Sequence, residues 1–306
     1  MTAVSDEDRQ LAVRAVASLH DELKAYPKPG LVSQVDSGAH ADMDFALMSR
    51  SADSLLEPFA SLAAAGRGRR TFEDALMPLG IAAEKRMLAA TGGINTHRGA
   101  IFSMGLIVAA IARTRACSAT LSPASIQDTL RREWGASLAT HAARGGDSGS
   151  HGAQVLHRTG RAGARRQAAL AFPGVFQAAI PAYRQALCAG LDDNAASVHA
   201  LFALMAAVDD TTVLHRGGLT AGSFMRDAAA AFLADGGCAR AGWFDRAVRL
   251  HHAFVARNIS PGGCADLLAC AILVSLSARM AAANSAALIA PAFPIAKVAT
   301  GTPPGI

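Results

Sequence analysis

The chain has 306 residues, enough for one large domain or two small ones with a buried core. Hydrophobic residues make up 51% and aromatic residues only 5%, which favours close-packed helices over a β-sandwich. A formal charge of +5 without a lysine- or arginine-rich block argues against a nucleic-acid-binding protein. A small polyanion such as a polyphosphate suits this charge better.

The cysteines and the apolar stretches bear on where the protein works. Five cysteines are scattered without a C-x-x-C pair, which indicates reduced thiols and no structural zinc. The N-terminus lacks the pattern of a signal peptide. We expect no membrane span, because the uncharged stretch 99–112 is short and the stretch 280–296 contains two prolines. These features predict a cytoplasmic protein.

Helical periodicity runs through most of the chain, and no long stretch alternates with a period of two. Thr71 is predicted to cap one helix, and Ser122 or Ser125 to cap another. Shorter helices are expected near residue 163 and after 174. The main predicted helices cover residues 7–25, 43 to past 56, 71–90, 100–112, 122–141, 195–208, 220–234, 243–255 and 265–282. We therefore predict an all-α fold, with one compact helical domain at 1–290 and a Pro-rich tail at 291–306.

Three glycine-rich polar loops each lead into an apolar helix, at residues 92–99, 215–222 and 258–266. The glycines at 217 and 218 are predicted to form a turn between two helices. Because a helical fold builds its binding site where loops or helix ends meet, we expect these loops to converge on one site.

The loop at 92–99 presents Asn95, Thr96, His97 and Arg98 in front of the apolar run 100–112. Polar side chains at the start of a buried helix can bind an anion, together with backbone N–H groups and the helix dipole. The alternative is an ordinary glycine turn with Asn95 or Thr96 as the N-cap.

Two further segments carry charges that suit a nucleotide. Asp42 and Asp44 can hold a magnesium ion that also bridges phosphates. Alternatively, Asp42 is an N-cap and Asp44 a first-turn acid. Lys28 lies between two prolines, which stiffen its backbone. This pattern fits a phosphate-binding lysine and an exposed lysine in a turn equally well.

The C-terminal half carries a second set of charged loop residues. Asp210 could bind metal or act as a base, and Arg216 could clamp a phosphate, or the two could form an internal ion pair. The segment 260–263, Ser-Pro-Gly-Gly, is typical of a phosphate-binding turn that leads into a helix. Asp266 is then a metal ligand or an ordinary first-turn acid.

Taken in order, these blocks resemble the triphosphoribosyl-dephospho-CoA synthase family. The matching blocks lie at 28–32, 38–44, 93–102, 210–218 and 260–268. The resemblance implies an enzyme that joins ATP to 3′-dephospho-CoA through a ribosyl bond and releases adenine. Its product is the prosthetic-group precursor of malonate decarboxylase or citrate lyase, and the His97-Arg98-Gly99 sequence is nearer to the malonate decarboxylase branch.

The resemblance and the residue types together predict roles for individual side chains. The acceptor 2′-hydroxyl attacks C1′ of the ATP ribose, which develops oxocarbenium character. Asp210 is expected to be the base, His97 a proton donor, and Asp44 a further catalytic carboxylate. Mg²⁺ is expected at Asp42, Asp44 and Asp266. Phosphate binding is expected at Lys28, Gly30, Asn95, Thr96, Arg98, Arg216, Gly217, Ser260, Gly262 and Gly263.

Two positions depart from the family pattern, and two other functions stay open. Gln167 replaces an acidic residue in a G-x-R-x-E-A block, and Thr212 replaces asparagine in a D-T-N block.

The expected partners are ATP, 3′-dephospho-CoA, a downstream acyl carrier protein and its prosthetic-group transferase, without nucleic acid or membrane; a homodimer is compatible with this. The alternatives are a Mg²⁺-dependent nucleotide phosphohydrolase and a non-catalytic helical scaffold.

Overall fold

A computed structural model describes residues 2–117, 120–144, 151–161 and 163–289. These ranges contain only helices, turns and irregular segments and no β-strand, which confirms the all-α prediction. The predicted tail at 291–306 lies outside the described residues. The helices are α1 (Asp6–Lys24), α2 (Phe45–Asp53), α3 (Leu56–Arg67), α4 (Met77–Ala90), α5 (Arg98–Ala116), α6 (Pro123–Ala143), α7 (His151–Thr159), α8 (Ala164–Ala169), α9 (Ile180–Cys188), α10 (Asp193–Ala207), α11 (Thr211–Ala234), α12 (Trp243–Val255) and α13 (Gly262–Ile289).

Side-chain caps fix several helix starts. Ser5 and Asp8 form a capping box at α1, with the Ser5 N–H donating to Asp8 Oδ2 at 2.9 Å. Thr71 Oγ1 accepts from the Asp74 N–H at 3.1 Å and starts a π-helical turn that runs into α4. Ser122 caps α6. The caps predicted at Thr71 and Ser122 are therefore confirmed.

Two predicted boundaries are wrong. The helix expected from residue 43 past 56 is split, because α2 ends at Asp53 and α3 begins at Leu56 without a side-chain cap. The glycine turn expected at 215–218 is a kink inside α11. Helical backbone continues through Gly217, and only Gly218 leaves it, with φ 63° and ψ −159°.

The centre of the fold is formed by α5, which packs against α3, α6 and α13. Gly66 on α3 lies so close to α5 that an added Cβ would be 2.2 Å from the Ala109 carbonyl oxygen. This contact explains a glycine in mid-helix, because any side chain there would push the two helices apart. The middle of α5 is thereby held directly against α3.

Two described helices are long and apolar enough to cross a bilayer. The shortness of the uncharged stretch 99–112 therefore does not exclude a membrane span, contrary to the expectation from sequence. The two helices are α5 and the part of α13 at Gly262–Ala283, and the bent pair α10–α11 also qualifies if it counts as one span. In the most apolar windows of α5 and α13, 72% and 67% of the residues are buried inside the protein. Packing against other helices accounts for much of their apolar character.

Candidate active site

A cavity of about 770 Å³ opens where the starts of α5, α11 and α13 meet. Its volume is within the range of small-molecule sites. One side is apolar, with Phe72, Leu76, Met77 and Phe102 among its residues. The polar and charged residues that line it are Glu84, Asn95, Arg98, Ser103, His141, Arg165, Gln167, Asp209, Asp210, Thr211, Thr212 and Asp266.

Asp210 connects the starts of two helices at the bottom of the cavity. Its Oδ1 caps α11 by accepting from the N–H groups of Thr212 and Val213 at 2.8 and 3.1 Å. Its Oδ2 accepts from the Cys264 N–H at 2.8 Å, in the first turn of α13. Burial raises the pKa of Asp210, although these three backbone donors act in the opposite direction.

Asp266 lies on α13 and reaches the first turn of α5. Its carboxylate accepts a hydrogen bond from the Ala100 N–H. Gly99 makes this contact possible, because an added Cβ would lie 2.0 Å from Asp266 Oδ2. Burial raises the pKa of Asp266 well above its usual value, and the charges of Asp210 and Glu22 raise it further. Buried Asp210 and half-buried Asp266, both with raised pKa values, therefore share the cavity floor.

Arg98 and Asn95 lie at the mouth of the same cavity, at the start of α5. Asn95 Oδ1 accepts from the Arg98 N–H at 3.3 Å, in the manner of an N-cap. The Arg98 guanidinium forms an ion pair with Glu84 on α4. Arg98 can thus face a ligand, but its charge is already partly balanced within the protein.

Asp209, next to Asp210, is occupied by two arginines. Its carboxylate pairs with Arg161 at 2.8 Å and with Arg226 at 3.0 Å. Asp209 lines the cavity, but two arginines already balance its charge. Asp210 and Asp266 form no such ion pair with a described residue.

A second group of polar residues, here called the loop network, consists of His40, Arg216, Asn258 and Ser260. His40 Nε2 lies 2.8 Å from Ser260 Oγ. Arg216 Nη1 donates to Asn258 Oδ1 at 3.0 Å, and its Nη2 lies 3.1 Å from His40 Nδ1. Burial lowers the pKa of Arg216, against the charges of Asp42 and Asp210. The network joins the segment around His40, helix α11 and the loop before α13, but it does not line the cavity.

Lys28 and Gly30 lie in the loop that follows α1. Lys28 Nζ donates to Glu22 Oε1 at 2.6 Å and to the Glu22 carbonyl oxygen at 2.7 Å, and its side chain is only 1% exposed. Gly30 has φ +69°, and an added Cβ would lie 1.9 Å from the Ile259 carbonyl oxygen. Both residues hold the loop against its neighbours, and Lys28 is already hydrogen-bonded within the chain.

His97 and Thr96 are fixed by one serine on α2. Ser51 Oγ lies 2.7 Å from His97 Nδ1 and 2.5 Å from Thr96 Oγ1. Burial lowers the pKa of His97 to about 4, with further contributions from the charges of His20 and Lys28. The imidazole is therefore neutral at neutral pH, and it supports the start of α5 from outside the cavity.

Asp42 and Asp44 lie apart from the cavity lining. Asp42 is exposed and lies 3.5 Å from His40 Nδ1. Asp44 is the N-cap of α2, where its Oδ1 accepts from the Leu47 N–H at 2.8 Å. Across the described ranges, no group of three or more His, Cys, Asp or Glu residues could hold a metal ion. Asp42, Asp44 and Asp266 therefore do not form one ligand set.

The structure brings some of the predicted site residues together and leaves others apart. Those that line the cavity are Asn95, Arg98, Asp210, Gly263 and Asp266. Those that do not are Lys28, Gly30, Asp42, Asp44, Thr96, His97, Arg216, Gly217, Ser260 and Gly262. The glycine-rich loops meet, but the ligand-binding role of each residue stays a prediction.

The cavity also contains residues to which the sequence analysis gave no role. They are His141, Ser103 and Arg165. Arg165 is the arginine of the G-x-R-x-E-A block at 163–168, in which Gln167 is the departure from the family pattern. Its place in that block is a signal that the sequence contains. Gln167 Oε1 accepts from the Gly174 N–H at 2.9 Å. Ser103 and His141 lie in helices without a motif and could not have been found from sequence.

Comparison with known proteins gives matches over most of the chain. A family model described as ATP:dephospho-CoA triphosphoribosyl transferase matches residues 8–285. A probable 2-(5″-triphosphoribosyl)-3′-dephosphocoenzyme-A synthase of Acinetobacter calcoaceticus is 37% identical over 265 residues, covering 87% of this chain and 90% of the relative. The similarly named protein of Azotobacter vinelandii is 41% identical, covering 83% and 87%. The synthase of Pectobacterium atrosepticum is 36% identical, covering 84% and 85%. No solved structure matches.

Proposed function

Since the chain belongs to the ATP:dephospho-CoA triphosphoribosyl transferase family, we propose that its cavity is where the triphosphoribosyl group of ATP passes to 3′-dephospho-CoA. The protein is a transferase that makes a dephospho-CoA-derived prosthetic-group precursor. The acceptor is the 2′-hydroxyl, and adenine leaves. The observation that supports this use of the cavity is its pair of carboxylates with raised pKa values, Asp210 and Asp266, neither of which forms an ion pair with a described residue.

Asp210 is proposed as the base. The C1′–N bond to adenine breaks as the C1′–O bond forms, and C1′ carries positive charge in between, which a nearby carboxylate stabilises. The 2′-hydroxyl proton passes to Asp210 Oδ2, which accepts one backbone hydrogen bond, from Cys264, whose thiol also bonds to this carboxylate. The proton then passes to the nitrogen of the departing adenine, so adenine leaves as the neutral base and Asp210 is regenerated as a carboxylate. Burial moves the pKa of Asp210 upwards, toward the range in which a carboxylate accepts a proton effectively at neutral pH.

Mg²⁺ is proposed to enter with ATP and to be held by Asp266. Magnesium in nucleotide sites takes one or two protein carboxylates and completes its shell with phosphate oxygens and water. A carboxylate whose pKa is raised by burial and by neighbouring anions fits this need for a cation. When bound, Mg²⁺ neutralises part of the triphosphate charge. Asp42 and Asp44 are not needed for such a site.

The physiological setting is also a proposal. The malonate decarboxylase branch is favoured by the His97-Arg98-Gly99 form of the central block. The product would pass to a prosthetic-group transferase and then to an acyl carrier protein. We place the enzyme in the cytoplasm, since its two most apolar helices are largely covered by other helices. A homodimer can be tested by the molar mass in solution.

The decisive experiment incubates the protein with ATP, Mg²⁺ and 3′-dephospho-CoA and follows the products by mass spectrometry. We expect adenine and the triphosphoribosyl-enlarged coenzyme in equal amounts, and neither when a chelator is in excess. Phosphate or pyrophosphate without adenine would instead support a nucleotide phosphohydrolase. Unchanged substrates would support a binding scaffold.

The branch needs a different measurement, because both branches use the same small product. In the source organism, loss of this gene should leave the malonate decarboxylase carrier protein without its prosthetic group. Intact mass spectrometry of that carrier protein measures this directly. A fully modified carrier would contradict the assignment.

A further inference from the structure

Arg165, near the start of α8, lines the cavity, and none of the described carboxylates pairs with its guanidinium. Its Nη1 atom is buried and makes no hydrogen bond, and the side chain forms no ion pair with any described residue. Burial lowers the pKa of Arg165, and no carboxylate offsets this. A partly desolvated cation without a partner is unfavourable, so a native protein that keeps one in a cavity has a reason to do so.

The other arginines around the cavity are balanced by carboxylates. Arg98 pairs with Glu84, and both Arg161 and Arg226 pair with Asp209. An arginine that already has a carboxylate must share its charge with an incoming anion. Arg165 differs from them in this respect, because no carboxylate of the described residues shares its charge.

Two other residues of the cavity lining, Ser103 and His141, are relevant to a ligand at Arg165. Ser103 on α5 is 1% exposed, lines the same cavity, and has a hydroxyl without a partner in the described chain. His141 on α6 is within electrostatic range of Arg165. Burial lowers the pKa of His141, and the charge of Arg165 lowers it further. The His141 ring lies between Phe72 and Phe102, with ring centroids 5.2 and 6.1 Å away.

We propose that Arg165 binds phosphate oxygens of a polyphosphate chain in this cavity, with the Ser103 hydroxyl as a second donor. The planar guanidinium can hold two phosphate oxygens at once, which gives direction as well as charge. The inference rests on the proposed function only in naming the molecule that carries the polyphosphate. Two sources share the chemistry: the triphosphate of ATP, which stays in the product, and the diphosphate of 3′-dephospho-CoA.

Binding measured separately for each substrate tests the proposal. We expect Arg165→Gln to weaken the binding of ATP or of 3′-dephospho-CoA about 10- to 100-fold in titration calorimetry, the scale of losing a charge-assisted pair. The substrate that is affected identifies the source. Arg166→Gln is the matched control, since Arg166 is the next residue, is exposed and does not line the cavity. It should bind both substrates within about twofold of the wild type.

Two further readouts separate ligand binding from a structural role. Arg165→Lys should restore binding only in part, because a lysine cannot hold two oxygens in a fixed plane. Without ligand, Arg165→Gln should melt at the same temperature as the wild type or higher, since it removes an uncompensated charge. A stabilising residue would show the opposite.

The proposal is overturned if Arg165→Gln binds both substrates as the wild type does, or if Arg166→Gln weakens them equally. It can fail independently of the proposed function. A wild-type protein that binds polyphosphates through Arg165 but releases no adenine would refute the transferase mechanism and leave this binding site in place.

Discussion

The loop network and the cavity floor are both built from glycine-rich blocks, yet their polar side chains are used in opposite ways. In the loop network each polar group has a side-chain partner, with His40 against Ser260 and Arg216 against Asn258. These contacts cross between distant parts of the sequence and hold the loops in place. Because these contacts use the hydrogen-bonding groups of the loop network, few hydrogen-bond donors are left there for a substrate.

On the cavity floor the balance is reversed. Among the described residues, Asp266 has a backbone donor but no cationic partner, and Arg165 has no anionic partner. These two charges are left unpaired, whereas Arg98 and Asp209 in the same lining are paired. The comparison teaches that residue type and block do not identify ligand contacts. The useful criterion is whether a buried polar group is already satisfied inside the chain.

The largest effect is expected at Lys28, on the satisfied side of this comparison. Lys28→Met leaves Glu22 buried without its cation, so we expect a loss of about 3–5 kcal/mol in the free energy of unfolding. Urea unfolding followed by circular dichroism measures this. The double variant Glu22→Leu/Lys28→Met should recover most of the stability, since replacing both partners with apolar groups leaves no unpaired charge.

The same double variant decides whether Lys28 also binds phosphate. With Nζ committed to Glu22, we expect a folded double variant to bind ATP as the wild type does. If it folds but no longer binds ATP, the phosphate role expected from sequence is correct, and the Lys28–Glu22 pair must separate when ATP binds.

The next largest effect is expected at Asp210, on the cavity side. Asp210→Asn should lower turnover at least 100-fold, about 2.7 kcal/mol in activation free energy, while ATP binding changes little. Asn can still cap α11, although it loses the hydrogen bond from Cys264. Steady-state adenine release and calorimetry measure the two effects.

Asp192→Asn is the matched control for the loss of a carboxylate cap. Asp192 caps α10 by accepting from the Ala195 N–H at 2.7 Å, and it does not line the cavity. Its turnover should equal that of the wild type. Asp210→Asn turnover within a few-fold of wild type would remove Asp210 from the mechanism.

Much of the fold could be predicted from sequence, because apolar periodicity and caps are local signals. The helix predicted at 243–255 matches α12, and Thr71 caps where expected. The break between α2 and α3 was not predicted, since residues 54 and 55 are neither glycine nor proline. Pro58, in the first turn of α3, is nevertheless a local signal for it, because proline has no N–H to bond the Ser54 carbonyl four residues earlier and its ring clashes with that carbonyl.

The site was predictable in part. The glycines of the blocks correctly indicated close approaches, as at Gly30 and Gly99. The partner of each charge could not be predicted, because Lys28 pairs with a residue of the preceding helix and Asp266 meets the distant start of α5. Arg165 lies in the block at 163–168, but only the structure shows that its buried Nη1 atom makes no hydrogen bond.

The smallest effect is expected at Asp44, where two substitutions separate a helix cap from a metal ligand. Asp44→Ala should cost about 1 kcal/mol in the free energy of unfolding, because the N–H of Leu47 loses its acceptor. Asp44→Ser keeps an oxygen that caps the helix but removes the carboxylate, so its stability should match the wild type.

Neither substitution at Asp44 should change the Mg²⁺ concentration that gives half-maximal adenine release, since Asp266 is the proposed ligand. If Asp44→Ser is stable yet needs several-fold more Mg²⁺, the metal role expected from sequence is correct, and α2 must move toward the cavity when ATP binds, because Asp44 lies outside the cavity lining.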